Sequence, residues 1–354
     1  MQSHPIRVGL LGYGFSGKTF HAPLIRAVPG LLLDAVASSN PAKVQADLPG
    51  VAIHRDPLEL ARAEDIDVIV IATPNASHAP LARAALAAKK HVIIDKPFTL
   101  DLAEARELIT ESKKMGVLLS VFHNRRWDSD FLTVRRAIEQ GLIGTIVHYE
   151  SHLDRFRPEV RDRWREDGGP GSGVWFDIGP HLVDQTLQLF GLPDRIQANL
   201  ARQRADSRTD DWAHVVLDYG SHRAVLHASL VAAGGTNRFI AHGEAGSLVK
   251  KGIDLQETQL LSGMQPGEPG WGEDPDALII YGRSQERRIV PATRGDQRSY
   301  YAGLVAALNG STKGWVTPIQ ALAVMAVVEA AVDSVRSQRS VELPLTVEER
   351  SLWE

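Results

Sequence analysis

Ile6-Arg7-Val8-Gly9-Leu10-Leu11-Gly12-Tyr13-Gly14-Phe15-Ser16-Gly17 is the stretch whose reading decides the fold. A short apolar run closes on glycines spaced G-x-G-x-x-G. Glycines placed directly after a strand let the backbone turn sharply and approach a phosphate at the start of a helix. A second strand candidate follows at Leu31–Ala37, the distance a dinucleotide-binding βαβ unit requires. Gly12, Gly14, Phe15, Ser16 and Gly17 are therefore the first expected cofactor contacts. Pro23 would interrupt a long helix here, so the expectation is a helical turn from Phe15 and a restart with Pro23 near a first-turn position.

The same residues also satisfy G-x-x-x-x-G-K-T through Gly12, Gly17, Lys18 and Thr19, the pattern of a nucleoside-triphosphate P-loop. His91-Val-Ile-Ile-Asp95 could then pass for the strand that ends in a magnesium-binding carboxylate. Pro23 counts against the long helix which that reading needs, so a P-loop NTPase stands as an alternative.

Working outward, Val68–Ala72, His91–Ile94 and Val117–Phe122 are apolar throughout, as expected of parallel strands covered on both faces. Between them Ser77–Ala88 and Leu102–Lys114 read as helices. The second has Leu102, Ala105, Leu108 and Ile109 on one face and Asp101 and Glu104 in its first turn. Strand alternating with helix predicts an α/β, Rossmann-type parallel sheet over residues 1–122. From 123 to 354 the pattern changes to β runs: Thr145–Phe156, Arg195–Arg202, Ala213–Tyr219, Arg223–Val231, Arg238–His242 and Ser247–Lys251. The third and fourth are joined by Gly220-Ser221-His222, a hairpin signal. This predicts an α+β domain with a mostly antiparallel, open sheet. Ser262–Asp276, rich in Gly and Pro, reads as a surface loop, and Ser299–Leu308 and Pro318–Ser337 as closing helices.

Composition narrows the function classes. A length of 354 residues favours two domains. A net charge of -4 gives no basic field for nucleic acid or anionic lipid. With 0 Cys there is no thiolate nucleophile and no Cys-ligated metal, which suits a reducing, cytoplasmic setting. Met1–Pro5 does not read as a signal peptide, and no uninterrupted apolar run reads as a membrane span. No metal site is expected.

The end of the second strand, Ala37-Ser38-Ser39-Asn40-Pro41-Ala42-Lys43, has no carboxylate to accept from a ribose 2′-hydroxyl or to repel a 2′-phosphate. Ser38, Ser39 and Lys43 suit that phosphate, so NADP is expected, with NAD use left open.

Asp95-Lys96-Pro97 follows the fourth apolar strand, where open parallel sheets bind ligands. A lysine there can bond a substrate hydroxyl, and Pro97 is a candidate for a cis bond. Further on, Asp177-Ile-Gly179-Pro180-His181 reads as a helix start at Gly179 and Pro180. Asp177 and His181, four apart across it, can converge. His181 can accept an alcohol proton while Asp177 orients it. Asp184 is a weaker candidate that reads as facing solvent.

Together these motifs resemble the Gfo/Idh/MocA oxidoreductases over essentially the whole length. The resemblance rests on Gly12-x-Gly14-x-x-Gly17, Thr73-Pro74-Asn75-x-x-His78, Asp95-Lys96-Pro97 and Asp177-x-Gly179-x-His181. The stretches 122–128, 156–165 and 169–173 look most like the YdgJ-type and NADP-dependent scyllo-inositol dehydrogenase branches. The resemblance implies Lys96, Asp177 and His181 as the catalytic trio. It implies Thr73, Pro74, Asn75 and His78 as lining the cofactor, with Asp95 and Lys96 near the nicotinamide. The family often has Glu where this chain has Asp95. It also implies a homodimer or homotetramer built on the open sheet, and a polyol, cyclitol or sugar as substrate. Among the nearby Arg125, Arg126, Trp127, Arg155, Arg157, Arg161, Arg163 and Trp164, the expected substrate contacts are Arg125, Trp127, Arg155, Arg157 and Trp164. Arginine forks bond vicinal hydroxyls or a carboxylate, and indoles stack on sugar rings. The rest are expected in salt bridges. A sensor that binds a dinucleotide without chemistry is a further alternative.

Overall fold

The computed structural model describes residues 4–311 and 315–353. Met1–Ser3, part of the stretch read above for a leader, lie outside the described residues. The first compact unit comprises Met1–Asn124, Gln256–Trp271 and Asp296–Leu322, and the second Arg125–Leu255, Gly272–Gly295 and Ala323–Glu354. The first unit breaks at Asn124, two residues past the expected boundary, and two later segments also group with it.

In the first unit, β1 (Ile6–Leu11), β2 (Leu31–Ala37), β3 (Ala52–His54), β4 (Val68–Ile71), β5 (His91–Ile94) and β6 (Leu119–Val121) form one parallel sheet ordered β3-β2-β1-β4-β5-β6. The strand order reverses between β1 and β4, which places the ligand crevice at the carboxyl ends of these strands. All four residues of β4 are buried. Each such side chain contributes about 1.5–3 kcal/mol of burial, so the pattern fixes a sheet covered on both faces. The helix Leu102–Met115 starts where Asp101 accepts the Glu104 N–H at 2.8 Å and stops at Gly116, whose φ is 67°. β3 carries no sequence signal beyond three residues and was not expected.

The second unit holds β7 (Ile146–His152), β8 (Arg195–Ala201), β9 (Trp212–Asp218), β10 (Arg223–Ser229), β11 (Phe239–Gly243), β12 (Gly246–Lys250), β13 (Leu278–Gly282), β14 (Arg287–Val290) and β15 (Val341–Glu342). They form a sheet ordered β14-β13-β12-β11-β7-β10-β9-β8-β15, antiparallel except for the β7–β10 pair. β9 alternates buried and half-buried residues along its whole length. Ala213, Val215 and Leu217 face the helix Val174–Phe190, which packs on β7, β9 and β10. Buried charges on this side are paired: Arg238 with Asp130 at 3.1 Å, and Lys250 with Asp274 at 3.0 Å. β13, β14, β15 and the helix Ser129–Glu139 were not read from sequence.

Ser262–Asp276 is a loop exposed at most of its positions, as expected, and it is anchored where Trp271 is 0% exposed and Asp274 holds Lys250. Pro318–Ser337 is long and apolar enough for a span by length and mean hydropathy, but Gln320, Glu329, Asp333 and Arg336 interrupt its apolar run, as expected. Ala321–Val328 is continuously buried, as in a core helix.

Candidate active site

In the first unit the candidate residues lie at the carboxyl ends of β1, β2, β4 and β5. A Cβ on Gly12 would stand 2.6 Å from the Ala72 carbonyl oxygen, and one on Gly17 only 2.1 Å from that of Gly12. Only glycine fits either place. Around Gly14 nothing lies within 4 Å, which leaves room for a ligand to approach the backbone. Helical structure begins at Phe15, passes through a π turn at Gly17–His21 and restarts as Ala22–Arg26, with Pro23 in the first turn. The π turn shifts the hydrogen-bond register, and Ala22 N–H reaches the Gly17 carbonyl. Pro23, lacking an N–H, is thereby accommodated.

At the end of β2, Ser38 is buried and its hydroxyl accepts the Asn40 N–H at 3.1 Å, while Ser39 is exposed. Asn40 caps the following helix through the Lys43 N–H. The Lys43 ammonium reaches back to the Tyr13 carbonyl at 3.2 Å and lies over the Tyr13 ring. Burial and then Asp47 push the Tyr13 phenol up to about 12. Lys18 pairs with Asp47 at 2.6 Å. A P-loop would need that lysine for phosphate, and together with the strand order this removes the NTPase alternative.

His78 is buried, and its two ring nitrogens face the Pro97 carbonyl at 2.9 Å and the Thr73 carbonyl at 3.0 Å. Burial keeps the ring below the ordinary histidine range, against the pull of Asp95. A neutral imidazole has one N–H, so only one of these contacts is a hydrogen bond at a time. Either way His78 ties the β4 loop to the β5 loop. Ser77 donates to Thr73 Oγ1 at 2.7 Å, Asn75 is buried and Pro74 is exposed.

The Lys96–Pro97 peptide is cis. Asp95 accepts the Lys96 N–H at 2.8 Å, and its other oxygen lies 3.6 Å from His21 Nε2. Burial alone would raise this carboxyl, but His21, Lys96 and the Ser16 hydroxyl outweigh it and hold it well below the carboxylate range. His21 continues to Tyr301 at 2.6 Å. Neither His21 nor Tyr301 was singled out from sequence, because 280 residues separate them. The loops at Gly12–Gly17, Ser38–Lys43, Thr73–His78 and Asp95–Pro97 thus offer open backbone, hydroxyls and an ammonium, a donor set that fits a dinucleotide.

In the second unit, Asp177 and His181 lie on one helix. Gly179 and Pro180 are inside the helix Val174–Phe190 and do not start it. The true start is set by tertiary contacts: Val174 N–H bonds the Asp210 carbonyl at 2.9 Å and Trp175 N–H bonds the Asp210 carboxylate at 2.7 Å. Pro180 costs the Phe176 carbonyl its helical donor, and Gly179 is needed because a Cβ there would stand 2.7 Å from the Trp175 ring. Spacing i, i+4 puts Asp177 and His181 on the same face. Arg165 Nε lies 3.2 Å from the Asp177 carboxylate.

Asp184 does not face solvent. It is buried and takes three bonds from Arg126, at 3.1, 2.9 and 2.6 Å. Arg125 is buried as well and paired with Asp128 at 2.9 Å, so an internal carboxylate already engages it. Arg163 pairs with Glu166 at 2.6 Å. Trp164 carries the Arg165 guanidinium on its ring at 4.4 Å, and Trp127 is half-buried. Burial, then the charges of Arg155, Arg161 and Arg163, pull Arg157 down to about 10, against Asp177. Arg155 and Arg157 thus belong to a positive cluster around Asp177. Arg165 and Asp210 have no sequence signal; only the fold brings them to this helix.

Residues 6–123 match the family model for the NAD-binding Rossmann fold of the Gfo/Idh/MocA oxidoreductases, and residues 135–343 match the model for that family's C-terminal alpha/beta domain. The chain is 47% identical to the uncharacterized oxidoreductase YdgJ of Escherichia coli K12, covering 94% of this chain and 97% of that one. It is 34% identical to the scyllo-inositol 2-dehydrogenase (NADP(+)) IolW of Bacillus subtilis 168, covering 96% of each. A crystal structure from Klebsiella pneumoniae, named only at the level of an oxidoreductase, superposes with a TM-score of 0.94 at 52% identity, covering 99% of this chain and 98% of that one. With parallel sheet and glycine loop in agreement, the chain belongs to the Gfo/Idh/MocA family of NAD(P)-dependent oxidoreductases acting on CH–OH groups.

Proposed function

We propose that the chain interconverts a secondary alcohol and a ketone of a cyclitol or sugar, scyllo-inositol-like, with NADP(H) preferred. The observation that carries this reading is Asp177 and His181 on one helix face beside the Arg155–Arg157–Arg165 cluster. The cofactor preference rests on the β2 end, where Ser38, Ser39 and Lys43 stand without a carboxylate. IolW, named as NADP(+)-dependent, supports both parts.

When bound, the nicotinamide takes or supplies the hydride. His181 takes the hydroxyl proton during oxidation and returns it during reduction. Asp177 orients the ring, and Lys96 donates a hydrogen bond to a substrate oxygen as negative charge develops there. Thr73, Pro74, Asn75 and His78 line the cofactor. Arg157 and Trp164 bind the substrate's hydroxyls and ring face. Residues 1–122 serve the cofactor and 123–354 the substrate and assembly, in a cytoplasmic homodimer or homotetramer without nucleic-acid or membrane partners.

Initial rates with scyllo-inositol, myo-inositol and a panel of aldoses and sugar acids, each with NADP and NAD, test this. The expected result is turnover of at least one cyclitol or sugar with a kcat/KM about tenfold or more in favour of NADP. Turnover with NAD alone would overturn the cofactor assignment, and turnover only of non-polyol alcohols the substrate class.

A further inference from the structure

The outward face of the nine-stranded sheet carries a row of histidines that the dehydrogenase chemistry does not use. In the parallel β7–β10 pair His227 stands directly opposite His152, and in the antiparallel β9–β10 pair it stands opposite His214. Asp154 follows His152 by two residues, so the extended chain turns it to the same side. One nitrogen or carboxylate oxygen from each of His152, Asp154 and His227 lies within 4.8 Å of the others.

From this geometry we propose that His152 Nδ1, Asp154 and His227 Nε2 form a binding site for a divalent transition-metal ion of the zinc class. Each ligand is already held by its other end. His152 Nε2 bonds Glu150 at 2.8 Å, Asp154 Oδ2 accepts from Thr236, and His227 Nδ1 faces His214 Nδ1 at 3.4 Å. Partners of this kind fix tautomer and ring orientation at metal sites. The facing atoms of the three side chains approach one another without bonding. His152 Nδ1 is 3.9 Å from Asp154 Oδ2, and His227 Nε2 is 3.7 Å from Asp154 Oδ1. Both separations exceed a hydrogen bond. His152 Nδ1 and Asp154 Oδ1 are buried without a hydrogen-bond partner, and the Asp154 side chain is only 2% exposed.

Leaving such atoms unsatisfied is costly, and a cation would satisfy them together. Ligands about 2.0–2.1 Å from a tetrahedral zinc stand about 3.4 Å apart, so the two histidine–carboxylate separations of 3.9 and 3.7 Å would shorten slightly, and the two imidazole nitrogens, within 4.8 Å of each other, would close as well. Two imidazoles and one carboxylate select zinc, cobalt, nickel or copper over magnesium or calcium. A water or a second molecule would complete the shell. The ion would clamp the end of β7, from which the chain runs directly into Arg155 and Arg157.

The test uses full-length, tag-free protein treated with chelator and then dialysed. Zn2+ is titrated by calorimetry and Co2+ by its visible absorption, with Mg2+ as the comparison. The expected result is one saturable Zn2+ or Co2+ per chain and no Mg2+ heat. Asp154→Asn and His227→Ala, each shown folded by circular dichroism, lose the Co2+ band. Glu150→Gln weakens binding about 10- to 100-fold, while His242→Ala, on the same face but outside the cluster, leaves it unchanged. Absence of stoichiometric Zn2+ and Co2+ binding in the wild-type chain would overturn the proposal even if a variant failed to fold. Equal affinity in Asp154→Asn and wild type would also overturn it, because scattered surface histidines would then be the binders.

Discussion

The two sheets place their functional groups differently, and the difference follows from how many faces each has to spare. In the parallel sheet every residue of β4 is buried, so its candidate cofactor residues stand at strand ends: Gly12, Ser38, Thr73 and Asp95. In the nine-stranded sheet β9 alternates, and the half-buried positions His148, Glu150, His152, His214 and His227 line an outer face. A sheet covered on both sides offers only its ends to chemistry, whereas one covered on one side offers a surface.

The sharpest way to break that contrast is at the side chains proposed to be catalytic. Lys96→Ala, at a strand end, and His181→Ala, on a helix, are each expected to lower kcat/KM by about 10²- to 10⁴-fold with the circular dichroism spectrum retained. Steady-state kinetics decides it, and wild-type rates in both variants would remove the assigned roles.

Stability comes next. Ile69→Ala removes apolar packing from the parallel sheet and should cost about 2–5 kcal/mol. Asp130→Ala strands the buried Arg238 beneath the mixed sheet and should cost about 3–5 kcal/mol. Urea unfolding of both variants reads the two costs side by side. A cost below about 1 kcal/mol for Asp130→Ala would mean that water reaches Arg238 and that the inner face is not dry.

A pH series sharpens the picture at the β5 end. The Asp95 carboxyl is held below the ordinary carboxylate range in the folded chain, so folding favours its ionised form. Its stabilising contribution is therefore present above about pH 4 and lost as pH falls below that. Asp95→Asn should flatten the acid limb of the stability profile while lowering stability near neutrality. Identical acid limbs in thermal melts would show that the His21 and Ser16 contacts do not hold the charge.

The smallest effect is expected at β2. Lys43→Ala should weaken NADPH binding about tenfold and leave NADH nearly unchanged, as read by fluorescence titration. A loss shared equally by both cofactors would mean that Lys43 supports the Tyr13 turn and does not meet a 2′-phosphate.

The strand-end residues were legible because their signals are local. A glycine pattern after an apolar run, and Asp95-Lys96-Pro97 after another, need only neighbours in sequence to be interpreted. The helix bearing Asp177 and His181 was half legible. Both residues lie on the helix expected for them, but Gly179 and Pro180 suggested a start that Asp210, 35 positions from Trp175, actually provides at Val174.

Sequence by itself determined the parallel sheet, the loops at its carboxyl edge and the family, and it singled out Lys96, Asp177 and His181 as candidates. Periodicity and backbone stereochemistry act over a few residues, and those features depend on little else. Tertiary structure alone decided that Asp184 belongs to Arg126, that His21 joins Asp95 to Tyr301, and that His152, Asp154 and His227 share one side of the sheet. Strand register and the buried pairing of charges bring together residues far apart in the chain, and no local pattern encodes which distant partner a side chain will meet.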